Sequence, residues 1–164
     1  MDFISEQRTL HVVPLSANAE DRWRLSDPYV ERVWSEHLGP TATLLARRLG
    51  RMLEEQQGGV DVDLGDLAGS LGVQPSIAVK ALNRLNRFEV VYFAPEQMIA
   101  GVPGFAPSVS GAQLLRLSEG GRVVHELLVE ESEAPRLVQG VSGARAAVSR
   151  LSVPRAAAVQ RRAL

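Results

Sequence analysis

The stretch from Asp63 to Arg87, DLGDLAGSLGVQPSIAVKALNRLNR, decides the fold. Leu64, Leu67, Ala68 and Leu71 recur at i, i+3, i+4 and i+7, which predicts a short helix with one inner face. Asp63, just ahead of it, can accept hydrogen bonds from the amides of the first turn. Gly72 supplies the left-handed backbone that a three-residue turn demands, and Val73 plugs the corner. Pro75 costs nothing at the first position of a second helix, which carries Ile77, Ala78, Ala81, Leu82 and Leu85 inward. After Phe88 the pattern turns β-branched and aromatic, so residues 90–93 read as a strand. Residues 94–97 then form a turn, 98–102 a return strand, and Pro103, Gly104 and Pro107 end it.

Upstream, Asp27-Pro28 signals a helix start. Val30, Val33, Trp34 and Leu38 form one face of that helix, which Gly39-Pro40 stops. A second helix is expected from about Thr41 to Gln57. It has Leu45, Leu49, Met52 and Leu53 inward, Leu44 beside them, and Arg47, Arg48 and Arg51 on its other sides. Downstream, Leu114, Leu115 and Leu117 suggest one helix and Val123, Val124, Leu127 and Leu128 another, interrupted at Gly120-Gly121. Residues 1–25 show little periodicity and read as a flexible N-terminal arm, with a short extended piece around residues 10–15. Beyond Pro135, Gly, Ala, Ser and Arg dominate, so 135–164 reads as a flexible basic tail. The folded domain is expected over 26–134, mainly α with a small β-hairpin and with helices flanking the central ones on both sides.

Composition narrows the function classes. With 45% apolar and 23% charged residues, the 164-residue chain lies near globular averages. No cysteine is present, which excludes a disulfide scaffold, thiolate metal sites and a cysteine nucleophile and fits a reducing compartment. No apolar run reaches the roughly 18 residues of a spanning helix, and the first ten residues lack signal-peptide order; the expected location is the cytoplasm. The net charge of −1 hides an uneven layout: −3 over 1–39, −1 over 40–105, −3 over 106–134 and +6 over 135–164. Attraction to phosphate must therefore come from local patches.

The spacing of Leu67-Ala68, Leu71-Gly72-Val73, Pro75-Ser76 and Leu82 resembles a helix-turn-helix, and with a hairpin following, residues 40–105 resemble its winged form. Residues 26–134 as a whole are similar to a group of actinobacterial winged-helix proteins, through Asp27-Pro28-Tyr29-Val30-Glu31-Arg32, Trp34, Leu38-Gly39-Pro40-Thr41-Ala42, and Leu114 and Leu117 ahead of His125. That resemblance implies a DNA-binding fold and no enzymatic activity. The second helix of the motif would be the recognition helix. Its outer face carries Ser76, Lys80, Asn83 and Arg87 at i, i+4, i+7 and i+11, with Arg84 and Val79 flanking, and no acid occurs between Gln74 and Phe88. Gln74 and Ser76 sit where side chains reach base edges, Lys80 and Asn83 suit guanine and adenine, and Arg84 and Arg87 suit phosphate.

The expected function is sequence-specific binding of double-stranded DNA by a transcriptional regulator, nucleoid-associated when bound. It would act as a homodimer, because one small module buries little DNA surface. The helices over 27–38 and 110–131 are the expected dimer surface. The rival reading is a winged-helix protein–protein adaptor. It rests on the near-neutral charge, the acidic tip Pro95-Glu96-Gln97, and Met98, Ile99 and Val102 as a docking surface with Val79. Catalytic signals are weak. His11, His37 and His125 have no second ligand at i+3 or i+4, the glycine pairs lack phosphate-loop context, and the cluster Glu130, Glu131 and Glu133 reads as a solvated helix end. No cofactor or metal is expected, and Trp23, Tyr29 and Trp34 read as core rather than as a ligand cage.

Overall fold

A computed structural model describes residues 9–17 and 21–138. The motif at Asp63–Arg87 forms as two helices, which follow α1 (Ser35–Leu38) and α2 (Pro40–Glu55): α3 (Leu64–Ser70) and α4 (Pro75–Arg87). Asp63 caps α3, its carboxylate accepting from the Asp66 amide at 2.9 Å. Gly72, at φ +71°, closes α3: its amide donates to Gly69 and the Val73 amide to Ala68, both at 3.0 Å. The same closure ends α4 without a glycine. Glu89 takes φ +58°, its amide reaching Asn86 and that of Val90 reaching Leu85. Leu64, Leu67, Ala78, Leu82 and Leu85 are buried, as are Leu45, Ala46 and Leu49 of α2, and α4 packs on both α2 and α3.

The molecule is mixed α/β, more strand-rich than the mainly α fold with one hairpin that the sequence suggests. The supposed loose arm supplies β1 (Thr9–Pro14) and β2 (Asp21–Arg24). Residues 60–102 add β3 (Val60–Asp63), β4 (Tyr92–Ala94) and β5 (Ile99–Val102), and β6 (Phe105–Pro107) follows. The main sheet has the order β3-β1-β5-β4, with β1 antiparallel to β3 and parallel to β5. β1 is therefore central: Leu10 and Val12 are buried on one face, and His11 Nδ1 lies 2.7 Å from Asp61 Oδ1 across the β3 pairing. β1 falls where the sequence suggests a short extended piece, around 10–15, and what the sequence did not show is that it pairs on both sides. The hairpin β4–β5 stands as expected, pairing Tyr92↔Gly101 through Ala94↔Ile99.

β2 pairs with β6 in a second, two-stranded sheet and leads into an aromatic layer. Trp23 stacks on Tyr29 with ring centroids 4.1 Å apart and planes 4° from parallel, and its Nε1 donates to Ser108 Oγ at 2.9 Å. The Tyr29 hydroxyl accepts from the Val109 amide at 3.0 Å and lies 2.8 Å from His125 Nδ1; burial raises its pKa above the ordinary tyrosine value. Trp34 Nε1 donates to Pro107 O at 2.8 Å. These rings are core. As the sequence predicts, helical backbone begins at Pro28, directly after Asp27. Its carboxylate accepts backwards from the Arg24 amide at 2.9 Å, and the chain enters through a π-helical stretch, Val30–Trp34, that runs directly into α1.

After β6 come α5 (Gly111–Leu114) and α6 (Glu119–Val138). Gly120-Gly121 opens α6 instead of interrupting a helix. The Glu36 carboxylate, on α1, accepts from the Ser118 amide and from Ser118 Oγ, each at 2.7 Å, and Ser118 Oγ accepts from the Gly121 amide at 3.0 Å. A Cβ on Gly121 would meet Glu36 Oε1, so any other residue there has to displace the Glu36 carboxylate from this clamp. The chain divides into two compact units at His125/Glu126. In the second, the described part is the remainder of α6, which passes the expected boundary at Pro135 and ends at Val138. The rest of the expected basic tail, 139–164, lies outside the described residues, as do residues 1–8 of the arm. No helix among the described residues is long and apolar enough to cross a membrane.

Two outcomes follow from this packing. Leu10→Ala removes a fully buried side chain from the central strand and is expected to cost about 2–5 kcal/mol in urea unfolding, whereas a loose arm would tolerate it. The hydrogen bonds from Ser118 hold the Glu36 pKa below its ordinary value, so the stability they supply is present above about pH 4.5 and is lost as pH falls through the lowered folded value. Unfolding midpoints compared at pH 7 and pH 3 should fall further in the parent than in Glu36→Gln.

Candidate nucleic-acid interface

α4 packs inward through Ala78, Ala81, Leu82 and Leu85, which leaves its opposite face to solvent. Gln74, Ser76, Lys80, Asn83, Arg84 and Arg87 are all exposed. Gln74 stands at the N-cap without a side-chain capping bond, and Ser76, Lys80, Asn83 and Arg87 follow along one stripe. Among the described residues, no carboxylate lies within ion-pair distance of Lys80 or Arg87. The helix carries three cations and no acid, so its outward potential is positive in a chain whose net charge is −1. Ile77, expected inward, is 38% exposed and lies beside Lys80 on a groove of about 430 Å³ between α4 and the start of α2.

Arg84 behaves differently from its neighbours. Its Nε and Nη2 both donate to the His37 carbonyl, at 3.0 and 2.6 Å, and its guanidinium carbon lies 5.9 Å from the centre of the Phe88 ring. The carbonyl it caps belongs to the last turn of α1, so Arg84 ties α4 to the junction of α1 and α2. The His37 ring is buried against Trp34 and Phe88, with centroids 6.0 Å away in each case, and its Nε2 has no hydrogen-bond partner. Arg84 therefore acts first as a brace. Nothing in the sequence spacing distinguished it from Arg87, because its partner is a backbone carbonyl 47 residues away.

The hairpin offers less than the adaptor reading supposes. Met98 takes φ +51° to close the turn and is buried; Val102 is buried as well, and Ile99 is half-buried. The apolar surface expected there does not face solvent, although Tyr92 on the edge strand β4 is 40% exposed. The hairpin is also fixed to α4, since Asn86 Oδ1 accepts from the Phe93 amide at 3.0 Å. His11, His37 and His125 lie apart on β1, α1 and α6, and among the described residues no three His, Asp or Glu converge on a metal-sized site. Sequence reading also passed over α2 as an interaction surface: Arg48 and Arg51, with the 45%-exposed Leu44, line a second groove.

Comparison with family models, with curated proteins and with solved structures gives no match for this chain. The division of labour on α4 has a direct consequence. Arg84→Ala leaves the carbonyl of His37 without its charged donor and is expected to lower stability by about 1 kcal/mol. Lys80→Ala and Arg87→Ala should stay within about 0.5 kcal/mol of the parent. Thermal unfolding of the three variants checks this.

Proposed function

We propose that this chain is a sequence-specific DNA-binding protein of the winged helix-turn-helix class, acting as a transcriptional regulator with α4 in the major groove. The observation that carries the reading is the solvent-facing, acid-free stripe of Ser76, Lys80, Asn83 and Arg87 on a helix propped by α2 and α3. The order α2, β3, α3, α4, β4, β5 supports the winged class, with β1 as an added strand between β3 and β5. Lys80 and Asn83 supply donors and an acceptor of the kind that distinguish base pairs, and Arg87 is suited to a phosphate. Glu96 at the hairpin tip argues against insertion of the wing into a minor groove, so α4 carries the specificity. Two copies would bind a palindrome, giving the footprint that one module lacks.

Selection of bound sites from a random duplex library, followed by anisotropy on the selected site, tests this. Lys80→Ala and Asn83→Ala should each relax the preference at one or two base pairs and lower affinity roughly 10–100-fold. Arg87→Ala should weaken all sequences alike. A Lys80→Ala/Asn83→Ala double variant with the parent's affinity for the selected duplex would refute the reading. Binding that depends wholly on residues 139–164 and ignores Lys80 would favour the protein–protein adaptor, for which the exposed Tyr92, Leu44 and Ile77 are the available apolar contacts.

A further inference from the structure

The positive surface does not end with α4. Along α2 runs a groove of about 500 Å³ whose walls include Arg47, Arg48 and Arg51, with Pro40 and Leu44 as its apolar part. Pro40 also lines the groove beneath α4, so the two grooves adjoin at the start of α2. Between Pro40 and Leu53, α2 contains three arginines and no acid.

The three arginines are not equivalent. Arg47 is spent: its Nη1 sits 2.9 Å from Glu31 Oε2 and donates to Asp27 O at 3.1 Å, and its side chain is only 18% exposed. That pair neutralises the one carboxylate on the groove. Arg48 is aimed without being neutralised. Its Nη1 donates to Ser70 Oγ at 2.6 Å, and Ser70 Oγ in turn donates to Leu67 O at 2.7 Å, so a neutral hydroxyl fixes the guanidinium while its other donors stay available. Arg51 is exposed, with no carboxylate within ion-pair distance among the described residues. A surface that holds one cation by a carboxylate and leaves the next two with uncompensated charge suits a polyanion that supplies the missing charge.

We infer that Arg48 and Arg51 on α2 form a second phosphate track, gripping the sugar–phosphate backbone of the same duplex that α4 reads. The occupant is a phosphodiester backbone because the groove adjoins the α4 surface through Pro40. This rests on the proposed DNA-binding function and adds the positioning contact that fixes the register of α4 on the duplex. Arg47 is outside the track, as a structural residue.

The salt dependence of binding measures it, because each neutralised phosphate contributes about 0.9 to the slope of log K against log salt concentration. Anisotropy of a labelled duplex would be followed over a potassium chloride series with the full chain. Arg51→Gln and Arg48→Gln should each reduce the slope by about 0.9, and the double variant by about 1.8, with the selected base preference unchanged. Arg116→Gln, an exposed arginine beyond the groove, should leave the slope alone and controls for net charge. Arg51→Gln guards against misfolding, since no described residue depends on that side chain. An unchanged slope in the double variant, or an equal fall in Arg116→Gln, overturns the track. Binding that needs Lys80 and Asn83 but not Arg48 and Arg51 defeats the track and leaves the DNA-binding function standing. Binding that needs Arg48 and Arg51 but neither Lys80 nor Asn83 retains the track and defeats the sequence-specific function.

Discussion

Strand β1 joins the two ends of the segment that presents α4. On one side it is hydrogen-bonded to β3, which leads directly into α3, and on the other to β5, which closes the hairpin after α4. A helix pair joined by a four-residue turn could pivot on its own small core. With β3 and β5 both registered against the same strand, the start of α3 and the end of the hairpin are held at a fixed separation, and α4 between them has little freedom. Leu10 and Val12 add burial to the hydrogen bonds, and α2 packs against β1.

A second set of restraints acts on α4 from the other side. Arg84 reaches the carbonyl at the end of α1, and Asn86 reaches the amide of Phe93, so α4 is anchored to α1 and to the hairpin by residues on its own flank. Trp34, His37 and Phe88 fill the space between, with the Trp34 ring edge-on to the other two. The cost is a buried imidazole nitrogen without a partner, and a non-glycine residue in left-handed backbone at Glu89, which is disfavoured by about 1–2 kcal/mol. Both lie within a few residues of the anchors that fix the direction of α4.

Charge is sorted by the same geometry. Arg47 is consumed by Glu31 and a backbone carbonyl, Arg84 by the carbonyl of His37, and Arg48 is oriented by a hydroxyl. Lys80, Arg87 and Arg51 remain without a carboxylate neighbour among the described residues. Six cations that look alike in the sequence thus fall into two that brace the fold, one that is aimed, and three that face outward. Only the last four are free to meet an anion, and they lie along two adjoining grooves.

Local sequence was sufficient wherever the signal was short-range. Asp63 as a cap, Gly72 in the turn, Pro75 at the first position of α4, and the apolar spacing of Leu64 to Leu85 all act within about one helical turn of themselves, and they placed α3, α4, the hairpin and the exposed stripe. The same reasoning placed the extended piece around 10–15 and the helix start at Asp27-Pro28, but it did not reach the pairing of β1 and β2 or the clamp at Gly121. In each of these the partner lies far along the chain: Leu10 opposite Val62, Trp23 against Ser108, Ser118 on Glu36. Sequence by itself determined which residues make helices and which face of α4 stays polar, because periodicity and capping are properties of neighbours. Tertiary structure alone decided that the extended piece at Thr9–Pro14 lies between β3 and β5 and that Arg84 braces while Arg87 does not, because hydrogen bonds between distant segments leave no periodic trace in the chain.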